Sequence, residues 1–260
     1  MIPMSSEIIS EIRRDHIVNM LKEGKRTDGR GTTDFREIKI ETGLIESADG
    51  SAKVSLGDTV VIAGVKIVPG TPFPDTPNLG VLTTGAELIP LAHASFESGP
   101  PGEDAIELAR VVDRGIRESG MIDVSKLCIT PGEEVWMCYI DIYIIDYCGN
   151  LFDACNLAAV AAIKNAVVPA EAYGKGENYP MPVTCTPISV TEVKIGKDLI
   201  VDPNFDEEHI SSARLTVTTD DDGNFRAMQK GGQGAISLDE LSLCLDRAVE
   251  KGAEIRKIIG

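Results

Sequence analysis

Three arginines, Arg110, Arg114 and Arg117, recur at helical spacing within the segment 103–118. Positions i, i+4 and i+7 fall within roughly a 60° arc of an α-helix, so the three guanidinium groups form a candidate anion-binding face. A solvated face is the competing interpretation, because acidic residues stand at ion-pair spacing from these arginines: Glu107, Asp113 and Glu118. The residues alone favour the solvated face, since charged helix faces are common and stacked arginines repel one another.

Acidic residues between 198 and 222 form a second candidate site. Carboxylates such as those of Asp202 and Glu208 can bind Mg²⁺ or transfer protons. The aspartates at 220–222 precede a glycine, which is typical of a solvated hairpin turn. The histidines at 16, 93 and 209 are too far apart in sequence to predict a zinc site or a catalytic triad. Spacing therefore leaves metal binding by Asp202 and Glu208 open, with a solvated role favoured.

The loop 148–153 is a third candidate, because it joins an apolar strand to an alanine-rich helix. Backbone N–H groups at such a junction can bind phosphate. This loop contains no lysine, arginine or hydroxyl side chain. Asp153, expected at or near the N-cap, would satisfy the free amides itself and repel an anion. The sequence therefore predicts an ordinary capped helix here.

Two strand-rich regions, each followed by a helix, must position these side chains. Period-two patterns bounded by Gly, Asp and Pro predict one β-meander over 38–89 and a second over 188–229, with a further apolar strand at 135–147. Helical patterns cover 5–23, 103–118, about 153–168 and a segment starting at the capping box of Ser237 and Glu240. The Gly- and Pro-containing stretch 170–187 is interpreted as a linker.

Composition bounds the possible classes of protein. The 260 residues are 43% hydrophobic and 25% charged, as in globular proteins, which excludes disordered and collagen-like classes. The net charge of −16 restricts any nucleic-acid contact to a local cationic patch. The six cysteines lack C-x-x-C spacing and indicate free thiols, so a reducing cytoplasm is expected. No apolar run predicts a membrane span or a signal peptide.

Three segments carry a family resemblance: KRTDGRGTTDFREIKIETGLI, SAKVSLGDTVVIAGVK and PPGEDAIELARVVDRGIRES. They resemble the RNase PH superfamily of phosphorolytic 3′→5′ exoribonucleases, and within it the non-catalytic RNase PH-like subunit of the archaeal exosome core. The resemblance implies an α/β (α+β) fold, the RNase PH-like or ribosomal protein S5 domain 2-like fold. The expected organisation is an N-terminal helix (1–24), a first half (25–169), a linker (170–187) and a second, similar half (188–260).

The family's functional residues are replaced at several matching positions. Catalytic members bind phosphate with Gly-Thr-Arg or Gly-Ser-Arg, and here Phe152 stands at the arginine position. Two aspartates six residues apart match Asp202 and Glu208, a further aspartate matches Arg214, and an early helix arginine matches about Asp104. These departures imply a chain without catalytic residues, metal or cofactor of its own, with Mg²⁺ and phosphate at a partner's site. The alternative is an active phosphate-dependent 3′→5′ exoribonuclease using Asp202 and Glu208.

The resemblance also assigns the arginine face. Arg110, Arg114 and Arg117 match arginines that catalytic relatives keep, and in the family's hexameric ring this face lines the route to the neighbouring active site. The resemblance therefore implies contact with the backbone of single-stranded RNA, reversing the preference from spacing alone. Implied partners are a catalytic RNase PH-like subunit alternating with this chain and RNA-binding cap subunits, with neither DNA nor membrane. A pure scaffold without RNA contact is a third possibility.

Overall fold

A computed structural model describes residues 4–260, with side chains from residue 13 onward; residues 1–3 of the expected N-terminal helix lie outside the described part. Five helices are present in that part: α1 Met4–Lys22, α2 Glu103–Ser119, α3 Leu151–Asn165, α4 Phe205–Ile210 and α5 Leu238–Ile259. The first eight strands are β1 Ile38–Thr42, β2 Gly50–Leu56, β3 Thr59–Gly70, β4 Val81–Leu88, β5 Cys128–Thr130, β6 Glu134–Asp146, β7 Val167–Val168 and β8 Tyr179–Pro180. The last four are β9 Ile188–Ile195, β10 Asp198–Val201, β11 Ala213–Thr219 and β12 Phe225–Gly231.

The first sheet has the order β1-β2-β3-β6-β4, with β5 paired to β6. The predicted meander is correct for β1 to β3 but wrong for β4, because β6 inserts between β3 and β4 and runs parallel to β4. The 13 residues of β6 alternate between the core and the opposite face, which lets one long strand pair along both neighbours. Because β4 and β6 are parallel, both strands end at the same edge of the sheet, where Leu88 pairs with Ile144.

The second sheet has the order β10-β9-β11-β12, with all pairs antiparallel. The predicted second meander is therefore wrong in order, since β11 pairs with β9 rather than with β10. The short helix α4 follows β10 and carries the chain back to the other side of β9. Helix α5 packs on this sheet through buried residues that include Cys244 and Ala248.

Helix α3 lies between the two sheets and contacts β2, β3 and β9. Its residues 152–163 are all buried, and small side chains let both sheets approach closely. Gly50 illustrates the tight fit, because a Cβ at this position would lie 2.5 Å from the carbonyl oxygen of Ala162. The glycine thus lets the start of β2 lie directly against the last turn of α3.

Arg26, in the segment between α1 and β1, anchors that segment to the second half of the chain. Its guanidinium and the carboxylate of Glu207 in α4 form a salt bridge in which neither side chain is exposed. Arg26 also donates to the carbonyl oxygens of Val201 (2.9 Å) and Asp202 (2.7 Å). These bonds fix the turn between β10 and α4, where Asp202 lies.

Candidate functional site

Helix α2 presents all three predicted arginines, Arg110, Arg114 and Arg117, on its exposed side. The opposite side is buried against the first sheet and α3. Ile106, which the helical pattern places in the apolar core stripe, is instead 50% exposed. The buried stripe passes through Ala105, one position before Ile106, and Leu108, two positions after it, so Ile106 turns toward the arginine face.

The arginines differ in their bonding partners. Arg117 donates to Asp113 at 2.9–3.0 Å and to the Leu82 carbonyl oxygen at 3.1 Å. The predicted Glu107–Arg110 pair is absent, because Glu107 instead accepts from Arg214 at 2.9 Å. Within residues 13–260, Arg110 and Arg114 form no salt bridge or side-chain hydrogen bond. Two of the three guanidinium groups are therefore available for an external anion.

A cavity of about 300 Å³ brings together four of the five positions expected to have lost catalytic function: Asp104, Phe152, Glu208 and Arg214 line it. Tyr147 and the aromatic rings of Phe96 and Phe205 complete much of the wall. Asp202 does not line this cavity. Residues separated by more than 100 positions in sequence thus share one pocket.

Glu208 occupies the anion-binding position at the start of α3. Its Oε2 accepts from the backbone N–H of Asn150 and from the Tyr147 hydroxyl, both at 3.1 Å. Burial raises the pKa of Glu208, against the hydrogen bonds from Asn150 and Tyr147 and the charge of Arg214, which favour ionisation. An incoming phosphate would meet this carboxylate instead of a free amide, so the arrangement disfavours phosphate.

Arg214 lines the same cavity as Glu208, but its guanidinium already contacts two other side chains. Its guanidinium carbon lies 4.0 Å from the centre of the Phe152 ring, within cation–π range. It also forms the salt bridge with Glu107. Phe152 therefore packs under an arginine side chain, in place of supplying one to a ligand.

Asp202 is a buried structural anion. Its two carboxylate oxygens accept from Arg30 (2.8 Å), Arg36 (2.7 and 2.9 Å) and the Asn150 side chain (2.8 Å). Burial alone would raise the pKa of Asp202, but the hydrogen bonds and charge of Arg36 outweigh burial and lower it. These donors fill the positions that a metal ion would need, so the pair Asp202 and Glu208 does not fit a Mg²⁺ site.

Asp153 corrects the prediction for the loop 148–153. The N-cap is Asn150, in the left-handed conformation (φ 56°), and α3 begins at Leu151, so Asp153 lies inside the first turn. Its carboxylate accepts from the backbone N–H (2.9 Å) and hydroxyl (2.7 Å) of Thr191 in β9. Asp153 thus ties α3 to strand β9 of the second sheet. The sequence-based prediction that it caps the helix amides is wrong.

The anchoring residues Arg26, Arg30 and Arg36 are the part of the site that spacing failed to indicate. Each bonds residues of 201–207, which lie more than 160 positions away in sequence. The basic, glycine-punctuated segment 25–31 was the only local signal. Gly149 adds a further constraint: it has φ 95°, and a Cβ would lie 2.5 Å from the backbone carbon of Asn204.

Two family models match the chain in order. Domain 1 of the 3′ exoribonuclease family (RNase PH) matches residues 34–169, and domain 2 matches residues 185–251. The chain belongs to the RNase PH family. The expected RNase PH-like fold is confirmed by the two matched domains and by the solved structures described next.

Curated RNase PH relatives of similar length share about half of the sequence. The exosome complex component Rrp42 of Thermoplasma volcanium is 53% identical over 257 residues, covering 99% of this chain and 98% of that protein. The component of the same name from Methanocella arvoryzae is 50% identical over 254 residues, covering 98% of each. The resemblance drawn from the sequence segments is thereby confirmed.

Solved structures give the same assignment. A chain of the Archaeoglobus fulgidus exosome, with RNA bound to the active site, superposes with a TM-score of 0.95 at 47% identity, covering 97% of this chain and 100% of that one. An archaeal exosome core chain gives 0.92 at 44% identity, covering 98% and 99%. Rice Rrp46, at 17% identity and TM-score 0.70, shares the fold. No helix within the described residues is long and apolar enough to cross a membrane.

Proposed function

We propose that the chain is a non-catalytic ring subunit of an archaeal RNA exosome, which supports 3′→5′ RNA degradation by structuring the active site of a catalytic RNase PH-like partner and by contacting RNA. The full-length likeness to Rrp42 components and to archaeal exosome core structures supports this role. The proposed assembly is a hexameric ring in which this chain alternates with the catalytic partner beneath RNA-binding cap subunits, in the cytoplasm. Mg²⁺ and phosphate are assigned to the partner's site.

One contrast in the structure carries the proposal. The pocket matching the family's phosphate site contains the chain's own carboxylate, Glu208, whereas Arg110 and Arg114 on α2 are exposed and have no anionic partner within residues 13–260. The chain is therefore poorly suited to hold phosphate for a reaction and well suited to contact a phosphodiester backbone. Backbone contact suits degradation without sequence preference, because base-edge contacts would impose one.

The alternative of an active phosphorolytic nuclease requires Asp202 and Glu208 to act on substrate or metal. Asp202 is buried and saturated by Arg30, Arg36 and Asn150, and Glu208 is bonded to Tyr147 and the Asn150 amide. The geometry favours the non-catalytic role over this alternative. A scaffold without RNA contact would leave the two unpaired arginines without a role.

The test is a salt titration of RNA binding by the chain assembled with its catalytic partner. Phosphate is omitted so that the RNA is not degraded. The variant carries Arg110→Ala and Arg114→Ala, and the matched control is Arg117→Ala, whose guanidinium already bonds Asp113 and Leu82. Each phosphate contact on a single strand contributes about 0.7 to the slope of log K against log salt. We expect the double variant to reduce the slope by about 1.4, and Arg117→Ala to reduce it less.

An unchanged slope and affinity for the double variant, with the ring intact by light scattering, would reject the RNA-contact role and leave the scaffold reading. A slope reduction of about 0.7 for Arg117→Ala, half of that expected for the double variant, would reject the distinction drawn from the Arg117 bonds.

A further inference from the structure

A groove of about 380 Å³ runs beside the arginine face, between α2 and the strand β12. Its floor is apolar: Ile106 and Val111 come from α2, and Ala227 and Met228 come from β12. Arg110 and Arg114 stand on its rim. The groove therefore combines an apolar surface and two cations in one place.

Two apolar side chains on the floor of the groove are exposed to water. Ile106 is 50% exposed and Met228 is 45% exposed, although α2 has a well-defined buried face and β12 has its own core-facing residue in Ala227. One of these side chains comes from α2 and the other from β12, so a flat apolar ligand seated on the floor contacts both. Methionine sulfur also makes favourable contacts with aromatic rings.

The charged side chains around the groove indicate which kind of ligand it binds. Arg110 lies one helical turn beyond Ile106, so a cation and an apolar contact are adjacent along α2. Two acids also line the groove, Glu103 and Glu107. Glu107 is paired with Arg214 and accepts from the Gln229 amide (3.1 Å), so within residues 13–260 the two arginines face one acid, Glu103, that forms no salt bridge. A ligand that carries an aromatic ring beside an anion matches this pattern, and a nucleotide within an RNA strand is such a ligand.

We propose that this groove seats one nucleobase of the RNA strand whose phosphates contact Arg110 and Arg114. The inference rests on the proposed RNA contact and adds a second, uncharged component to it. Because the floor offers aliphatic and thioether surface and few directed hydrogen bonds, the seat accepts any base. Its contribution depends on the presence of a base and does not depend on salt concentration.

The experiment measures RNA binding by the assembled complex, without phosphate, for a variant carrying Ile106→Ala and Met228→Ala. The control is Leu243→Ala, an aliphatic residue on α5 that is 43% exposed and lies outside the groove. Two ligands are compared: a single-stranded oligoadenylate and an abasic ribose-phosphate strand of the same length. We expect the double variant to bind oligoadenylate at least about fivefold more weakly, the low end for one stacked base. The salt slope should stay unchanged.

The abasic strand separates this inference from the proposed function. If the base is seated in the groove, the double variant and the unmodified complex bind the abasic strand equally. Equal weakening for both strands, or a weakened ring by light scattering, would show that the groove serves the strand's overall path or a subunit contact, and would overturn the inference. Unchanged oligoadenylate binding would also overturn it, while a reduced salt slope for Arg110→Ala with Arg114→Ala would leave the proposed function standing.

Discussion

Replacing Asp202 with asparagine removes a buried negative charge while keeping the shape of the side chain. Asp202 has a positive φ of 48°, a conformation that asparagine also tolerates, so the backbone is not strained by the change. The charge is shared by Arg30 and Arg36, whose side chains are only 13% and 10% exposed. In Asp202→Asn, Arg36 loses its anionic partner, and Arg30 keeps only the salt bridge to the part-exposed Asp28.

The loss of this buried ion pair sets the expected decrease in the free energy of unfolding. Removing one partner of a buried ion pair typically costs 3–5 kcal/mol, about 6–20 °C in melting temperature for a chain of this size. Thermal unfolding at pH 7 of the purified chain measures it. Asp222→Asn is the matched control, because Asp222 lies exposed in the turn before β12 and should change stability by less than about 0.5 kcal/mol.

The pH dependence gives an independent check. The pKa of Asp202 is lowered in the folded chain, so its stabilisation is present above the unfolded pKa, about 3.9, and is lost as pH falls through the folded pKa. The difference between the unmodified chain and Asp202→Asn should therefore be full near pH 6–7 and shrink below about pH 4. Equal melting temperatures at pH 7, or lost exosome activity with unchanged stability, would refute the structural role and support a catalytic one.

Two further predictions concern the buried contacts around this junction. Burial raises the pKa of Asp153 to about 7, despite hydrogen bonds from Asn150 and Thr191. The contribution of Asp153 to folding stability is therefore full below about pH 3.9 and is lost as the pH rises toward neutrality. Asp153→Asn should flatten the dependence of the urea midpoint on pH between 4 and 7. Arg26→Met leaves Glu207 as an unpaired buried charge and should cost about 3–5 kcal/mol in denaturant unfolding. Adding Glu207→Gln, which keeps the capping geometry at Asn204, should restore part of that loss; no recovery would contradict the charge-based explanation.

Local patterns in the sequence predicted most elements, since alternation and helical spacing are set within a few residues. The long strand β6 and the helices α2 and α5 follow this rule. Sheet order was not predictable in the same way, because inserting β6 between β3 and β4 depends on pairing between distant segments. The start of α3 was misplaced because both Asn150 and Asp153 are good capping residues, and only the contact with Thr191 distinguishes them.

In the candidate site, too, features set by local sequence were predictable and features set by distant residues were not. The shared face of the three arginines follows from their spacing alone. That Glu107 does not pair with Arg110 depends instead on Arg214, 107 residues away, which takes this carboxylate. The interpretation of Asp202 as a metal ligand or solvated acid could not be resolved from its neighbours in sequence. Its actual partners, Arg30 and Arg36, lie 172 and 166 positions earlier.

Whether the chain is non-catalytic on its own is tested most directly by degradation of a 5′-labelled single-stranded RNA with Mg²⁺ and inorganic phosphate. The purified chain is assayed alone and after assembly with a catalytic RNase PH-like partner. We expect no shortening by the chain alone and phosphate-dependent shortening by the assembled ring. Phosphate-dependent shortening by the chain alone, abolished by Glu208→Gln, would contradict this expectation and would make this chain a nuclease in its own right.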